Sequence, residues 1–198
     1  MTPTLSIIIP TISRPSLAHT LGSLRHQDLW DTDEVLLVGD GPQPIAKELF
    51  DQYGLPGRYI ELPERHNDYG HTPRNIVMPQ AKGDFILAID DDDTYMHGAI
   101  RKIRDVLKEN PDKPHIFRMQ TPNGILWHKR ELIENHVGTP MFVVPNVAPM
   151  LGSYSSRYGG DFDFIKETVA MFHPNLIWHQ EVIVLVTHQF SQTSSHAS

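Results

Sequence analysis

The chain alternates short apolar runs with amphipathic stretches. Leu5-Ser6-Ile7-Ile8-Ile9 is β-branched and halted by Pro10, the pattern of a strand buried on both faces. A helix is predicted straight after it, with Ser13 as cap, Pro15 in the first turn, and Leu17, Leu21 and Leu24 on one face. The unit then repeats. Glu34 to Val38 reads as a strand ending in Gly39-Asp40-Gly41, and Ile45, Leu49, Phe50 and Tyr53 mark a helix closed by Gly54. Arg58 to Leu62 is a weaker strand, followed by a polar loop to His71 and a short helix opened by Thr72 and Pro73 that must kink or end at Pro79.

The plainest buried strand is Asp84 to Ile89, which runs directly into Asp90-Asp91-Asp92-Asp93. Ala99, Ile100, Ile103, Val106 and Leu107 predict a helix ending near Asn110-Pro111. Further on, His115 to Gln120 and Ile125 to Lys129 flank a Pro122-Asn123-Gly124 turn, and Phe142 to Val144 and Ile183 to Val186 read as strands. Between these last two, Gly152 to Gly160 has the composition of a mobile lid leading into a helix over Asp161 to Phe172. Strands alternating with helices predict an α/β fold with a mostly parallel mixed sheet between helical layers, and 198 residues suit one domain over 1–190 with a flexible tail at 191–198.

A formal charge of −7 disfavours a nucleic-acid partner, which would need clustered Lys and Arg. With no cysteine, any metal must be held by carboxylates, carbonyls or histidines. No segment approaches the roughly 20 apolar residues of a membrane span, and the first apolar run lacks the preceding basic residues of a signal peptide, so the expectation is a cytoplasmic protein with no transmembrane segment.

Ligands of open α/β sheets bind beyond the carboxyl ends of the strands, which directs attention to Asp40 and to Asp90–Asp93. Two carboxylates about 4 Å apart repel by ~1 kcal/mol in water and ~4 kcal/mol near a protein surface, a cost that a cation relieves. Asp90 and Asp92 share one side of an extended chain, so they are the expected ligands of Mn²⁺ or Mg²⁺, hard ions that leave positions open for phosphate oxygens. The competing interpretation is a solvated acidic turn at a helix N-terminus.

Ile7-Ile8-Ile9-Pro10-Thr11, Val38-Gly39-Asp40-Gly41, Gly70-His71-Thr72-Pro73-Arg74-Asn75 and Phe85 to Asp92 together resemble the successive signatures of glycosyltransferase family 2, with its GT-A (Rossmann-like) three-layer fold. The resemblance implies a metal-dependent, inverting transfer of a sugar from a nucleotide-diphosphate sugar, UDP-sugar favoured and GDP-sugar the alternative, to an unidentified hydroxyl acceptor. It divides the chain into a nucleotide-binding half, 1–95, and an acceptor and catalytic-base half, 96–190. Pro10, Thr11, Arg14, Asp40, Arg74, Asn75, Asp90 and Asp91 would then line the donor site. The base would come from Asp161, or second from Asp163, although Gly160 stands where the family often has an acid. A histidine near the metal would be His188, with His179 as its competitor, and Trp127 beside His128 is a candidate platform for a sugar ring.

Asp90-Asp91-Asp92-Asp93-Thr94 also fits the nucleophile motif of haloacid-dehalogenase-type phosphatases, with Asp90 as phosphoryl acceptor; that motif belongs on a first strand, and here several elements precede it. A nucleotidyltransferase would need a glycine-rich, lysine-containing loop that Pro10 to Ser16 does not supply. A third alternative is a domain that binds nucleotide-sugars without turnover.

Overall fold

The computed structural model describes residues 2–173 and 175–187. In chain order the elements are β1 (Leu5–Thr11), α1 (Leu17–Arg25), β2 (Glu34–Gly39), α2 (Pro44–Tyr53), β3 (Gly57–Glu61), α3 (His71–Val77), β4 (Phe85–Ala88), β5 (Asp93–Tyr95), α4 (Ala99–Leu107), β6 (His115–Thr121), β7 (Gly124–Leu126), β8 (Phe142–Pro145), α5 (Gly160–Met171) and β9 (Ile177–Val186). The strands form one sheet in the order β3-β2-β1-β4-β8-β6-β9-β5, with β7 added alongside β6.

The half built from β3, β2, β1 and β4 is parallel. Every residue of β1, β2 and β4 is buried, because helices cover both faces of these strands and leave no side open for polar alternation. Burial of each Ile, Leu or Val there contributes about 1.5–3 kcal/mol. Replacing Ile7, wholly enclosed at the centre of β1, with Asp would set an unpaired charge into that core. Beyond β4 the sheet turns mixed: β8 runs antiparallel to β4 and β6, and β9 runs parallel to β6 and antiparallel to β5.

Several local expectations are corrected. Pro10 does not halt β1, which continues to Thr11 with Pro10 in register against Val38. Ser13 does not cap α1; it sits at φ 61°, its N–H donating to Thr11 Oγ1 at 2.9 Å, and the helix begins at Leu17 after Ser16. On α2 the buried face is Ala46 and Phe50, leaving Ile45 exposed. Asp90–Asp93 is not extended: the N–H of Asp93 donates to the carbonyl of Asp90 at 3.2 Å, closing a tight turn before β5. Tail 191–198 lies outside the described residues, among which no helix is long and apolar enough to cross a membrane.

Candidate functional site

Because β1, β2 and β4 are parallel neighbours, their carboxyl ends open on the same side. Pro10-Thr11, Asp40 and the turn after Ile89 meet there around a cavity of about 450 Å³. That size suits a small-molecule ligand. Pro10, Thr11, Arg14, Asp40, Arg74, Asp90, Asp91 and Asp92, all expected at a donor site, line it together with Asp161 from α5.

The acidic turn carries the strongest electrostatics. Its i to i+3 closure brings Asp93 back towards Asp90, so that Asp90, Asp92 and Asp93 each offer a carboxylate oxygen within 4.8 Å of the others. Burial, reinforced by the charges of Asp90 and Asp92, pushes the Asp93 carboxyl up to about 9. Three clustered oxygen donors, one of them costly to ionise alone, fit a hard divalent cation. Asp91 points elsewhere: its oxygens accept from Thr11 Oγ1 at 2.7 Å, the N–H of Ile12 at 3.2 Å and Arg14 at 3.1 Å, tying the turn to the end of β1. Arg14 also donates to Asp92 at 2.7 Å, which gives the cluster one exposed counter-charge.

Asp40 accepts the backbone N–H groups of His66 and Asn67 at 2.8 and 3.0 Å, so it anchors the loop that forms the cavity rim. The loop closes at Gly70, at φ 76°, where a Cβ would lie 2.6 Å from the Pro10 ring; only glycine lets the loop come this close to β1. On α3, Arg74 is buried, ion-paired with Asp90, and donates to the carbonyl of Tyr69 at 3.0 Å. Asn75, its neighbour, does not line the cavity. It exchanges two hydrogen bonds with the backbone of Tyr154, Nδ2 donating at 2.7 Å and Oδ1 accepting at 2.9 Å, because the helix turns its side chain towards that segment.

That clip contradicts a free lid over 152–160. The N–H groups of Gly152 and Ser153 also donate to Thr168 and Glu167 of α5, and Tyr154 is buried. The segment is a braced wall. At its end Gly160 has no room for a side chain, since a Cβ would meet the Ser155 carbonyl at 1.9 Å and His71 Nδ1 at 2.8 Å. The acid expected there by resemblance is therefore excluded by packing.

The two candidate bases are separated by the fold. Asp161 lines the cavity and accepts from the N–H groups of Phe162 at 2.9 Å and Thr139 at 3.3 Å. Burial, aided by the nearby charge of Asp90, raises its pKa. Asp163, two residues on, projects away and is held by Arg157 through both oxygens, at 2.6 and 2.7 Å, and by Ser155. Those hydrogen bonds lower its pKa to about 2, leaving a weak base outside the cavity.

The family model described as glycosyl transferase family 2 matches residues 6–151. The chain belongs to that family. Among its relatives, the poly(ribitol-phosphate) beta-N-acetylglucosaminyltransferase TarS of Staphylococcus aureus is 28% identical over 123 residues, covering 60% of this chain and 21% of TarS. The GalNAc(5)-diNAcBac-PP-undecaprenol beta-1,3-glucosyltransferase of Campylobacter jejuni is 27% identical over 118 residues, 58% of this chain and 37% of that one. The chain thus spans well under half the length of these relatives. Among solved structures, S. aureus TarS 1-349 in complex with UDP-GlcNAc superposes with a TM-score of 0.74 at 17% identity, covering 98% of this chain and 61% of that one. The mannosyltransferase PcManGT from Pyrobaculum calidifontis, in complex with GDP-Man and Mn²⁺, gives 0.70 at 14% identity, covering 98% and 59%. The fold is the GT-A fold expected for family 2.

Other expectations fare differently. Trp127 is no platform: it is buried, edge-on to Trp178 at 5.0 Å and under Arg118. His179 is hydrogen-bonded to His115 at the amino-terminal ends of β6 and β9 and does not line the cavity. His188 lies outside the described residues. Asp93 escapes a sequence reading because alternation in an extended chain pairs Asp90 with Asp92, whereas a turn pairs Asp90 with Asp93; Tyr69 and Tyr158, which also line the cavity, give no sequence signal beyond adjacency to glycines, while His71, likewise in the wall, stands inside the Gly70 to Asn75 signature.

Proposed function

We propose that the chain transfers a sugar from a nucleotide-diphosphate sugar, a UDP-sugar first and a GDP-sugar second, to an acceptor hydroxyl, with inversion at the anomeric carbon and dependence on Mn²⁺ or Mg²⁺. The observation that carries this is the union, in one cavity, of a three-carboxylate cluster with a separate carboxyl, Asp161, whose basicity is raised. Family membership and the UDP-GlcNAc and GDP-Man complexes of the structural neighbours support it.

Asp90, Asp92 and Asp93 would hold the cation, which when bound neutralises charge on the departing diphosphate. Asp161 takes the proton from the acceptor hydroxyl as its oxygen forms a bond to the anomeric carbon and the bond from that carbon to the diphosphate oxygen breaks. A carboxylate raised above its ordinary range is the stronger acceptor for that proton. Asp40 and the start of the loop it anchors would flank the nucleoside end, and Arg14 and Arg74, in the same cavity wall, would meet the diphosphate charge.

Calorimetric titration of UDP and GDP in the presence of Mn²⁺ or of chelator, repeated on Asp92→Asn, tests the reading. Metal-dependent binding weakened at least about tenfold by the substitution is expected. Failure of both nucleotides to bind with metal present would overturn it.

A further inference from the structure

Tyr69 and Tyr158 are 62% and 51% exposed, both line the cavity, and their rings meet edge to face at 5.5 Å. Paired at the mouth of a polar site, the two rings offer a ligand an apolar surface with polar hydroxyl tips. Tyr69 moreover sits at φ 62°, a left-handed conformation that bulky residues rarely adopt. The hydrogen bond from Arg74 to its carbonyl holds it there.

The pair is the solvent end of an aromatic column. Tyr69 contacts His71 at 5.8 Å, His71 stacks on Tyr154 at 5.7 Å, and Tyr154 stacks on Phe164 of the core at 4.3 Å. The column also borders Asp161, since Tyr158 precedes it by three residues and Gly160 packs against the His71 ring. Tyr69 stands at the Gly70 end of the loop that Asp40 anchors, so these rings flank the carboxyl that must meet the acceptor hydroxyl, while Asp40 and the start of that loop at His66 lie at the end of β2.

Charge narrows the ligand. The cavity wall carries seven carboxyl groups, Asp40, Asp90 through Asp93, Glu134 and Asp161, against three arginines, Arg14, Arg65 and Arg74, and even with Asp93 protonated and Glu134 offset by Arg157 the acids stay in excess. A divalent cation and a nucleoside diphosphate roughly cancel each other, so the wall stays negative with donor bound and repels an anionic acceptor.

We infer that Tyr69 and Tyr158 form a platform for the apolar face of a neutral pyranose ring, the acceptor sugar, held beside Asp161. This rests on the transferase reading of the same cavity. An open-chain polyol phosphate, the acceptor chemistry in the name of TarS, offers neither a ring face nor a compatible charge.

The test titrates methyl β-D-glucopyranoside, methyl N-acetyl-β-D-glucosaminide and ribitol 5-phosphate, by ligand-observed NMR, into the chain saturated with UDP and Mn²⁺. Wild type, Tyr69→Ala, Tyr158→Ala and the two Tyr→Phe variants are compared. At least one pyranoside should bind, about tenfold more weakly to each Ala variant and nearly normally to each Phe variant, with UDP affinity within about twofold throughout. Ribitol 5-phosphate should not bind. The inference is overturned if no pyranoside binds while UDP does, if the Ala variants bind pyranoside normally, if ribitol 5-phosphate binds in its place, or if the Ala variants lose UDP, which would make the rings a nucleobase clamp. Failure of wild type to bind both UDP and GDP would remove the transferase reading itself, a separate result; if GDP alone binds, the titrations are run with GDP.

Discussion

Arg74 and Asp90 are ion-paired at the floor of the cavity, the guanidinium wholly enclosed and the carboxylate partly open to it. Arg74 thus supplies a positive charge to a turn whose other carboxylates, Asp92 and Asp93, crowd the same point. Removing one partner of a buried pair costs about 3–5 kcal/mol, reduced here by the exposure of Asp90 to about 2 kcal/mol. Arg74→Met should lower the unfolding free energy from urea denaturation by that amount without metal, with a matching fall in the midpoint, and saturating Mn²⁺ should recover most of it. An unshifted midpoint would show that Asp90 does not depend on this counter-charge.

Asp161 and Asp163 lie two residues apart in sequence yet differ in every physical respect that matters to proton transfer. Asp161→Asn is expected to lower turnover by about 10²–10⁴-fold with nucleotide affinity nearly unchanged. Asp163→Asn should leave turnover within about tenfold, because its carboxylate engages Arg157 and Ser155 and not the cavity. Steady-state kinetics on both variants, with donor affinity measured separately, decides the assignment; a larger loss in Asp163→Asn would reverse it.

Asn75→Ala removes both hydrogen bonds that fasten Tyr154 to α3. Two buried backbone groups then lack partners, for a loss of about 2 kcal/mol or more. The wall at 152–160 should become the first segment to exchange amide hydrogens, and UDP affinity should fall by less than about threefold, since the side chain lies outside the cavity. A collapse of nucleotide affinity with the fold intact would instead place Asn75 on the ligand.

His115 provides a pH test away from the site. It is fully buried, its Nε2–H donating to the Asn110 carbonyl at 3.0 Å and its Nδ1 lying 2.8 Å from His179 Nε2. Burial lowers its pKa from 6.5 to about 4. The folded state favours the neutral ring, so the stability it contributes is complete above pH 6.5 and is lost as pH falls towards 4, to a limit of about 3 kcal/mol. Chemical denaturation at pH 7.5, 5.5 and 4.5 should show that fall in wild type and a shallower one in His115→Gln; equal slopes would refute the assignment.

Much of this molecule is written in local patterns. The apolar runs at Leu5–Ile9, Glu34–Val38 and Phe85–Ile89 declare themselves as buried strands because both faces must be apolar, and Gly54 closes α2 because an αL residue is needed there. From their order follows the parallel half-sheet, and with it the end at which Pro10, Asp40 and Asp90 gather. What only the tertiary structure decided is which neighbour each polar group faces. The capture of Asp91 by Thr11, the backbone pair that engages Asn75 and the burial of Trp127 depend on residues distant in the chain, while the turn that adds Asp93 to Asp90 and Asp92 and the salt bridge that draws Asp163 to Arg157 are local contacts without a hydrophobic signature. Hydrophobic period reports burial of an element's face, whereas side-chain direction and basicity are set by specific polar contacts and desolvation, which leave no period to read.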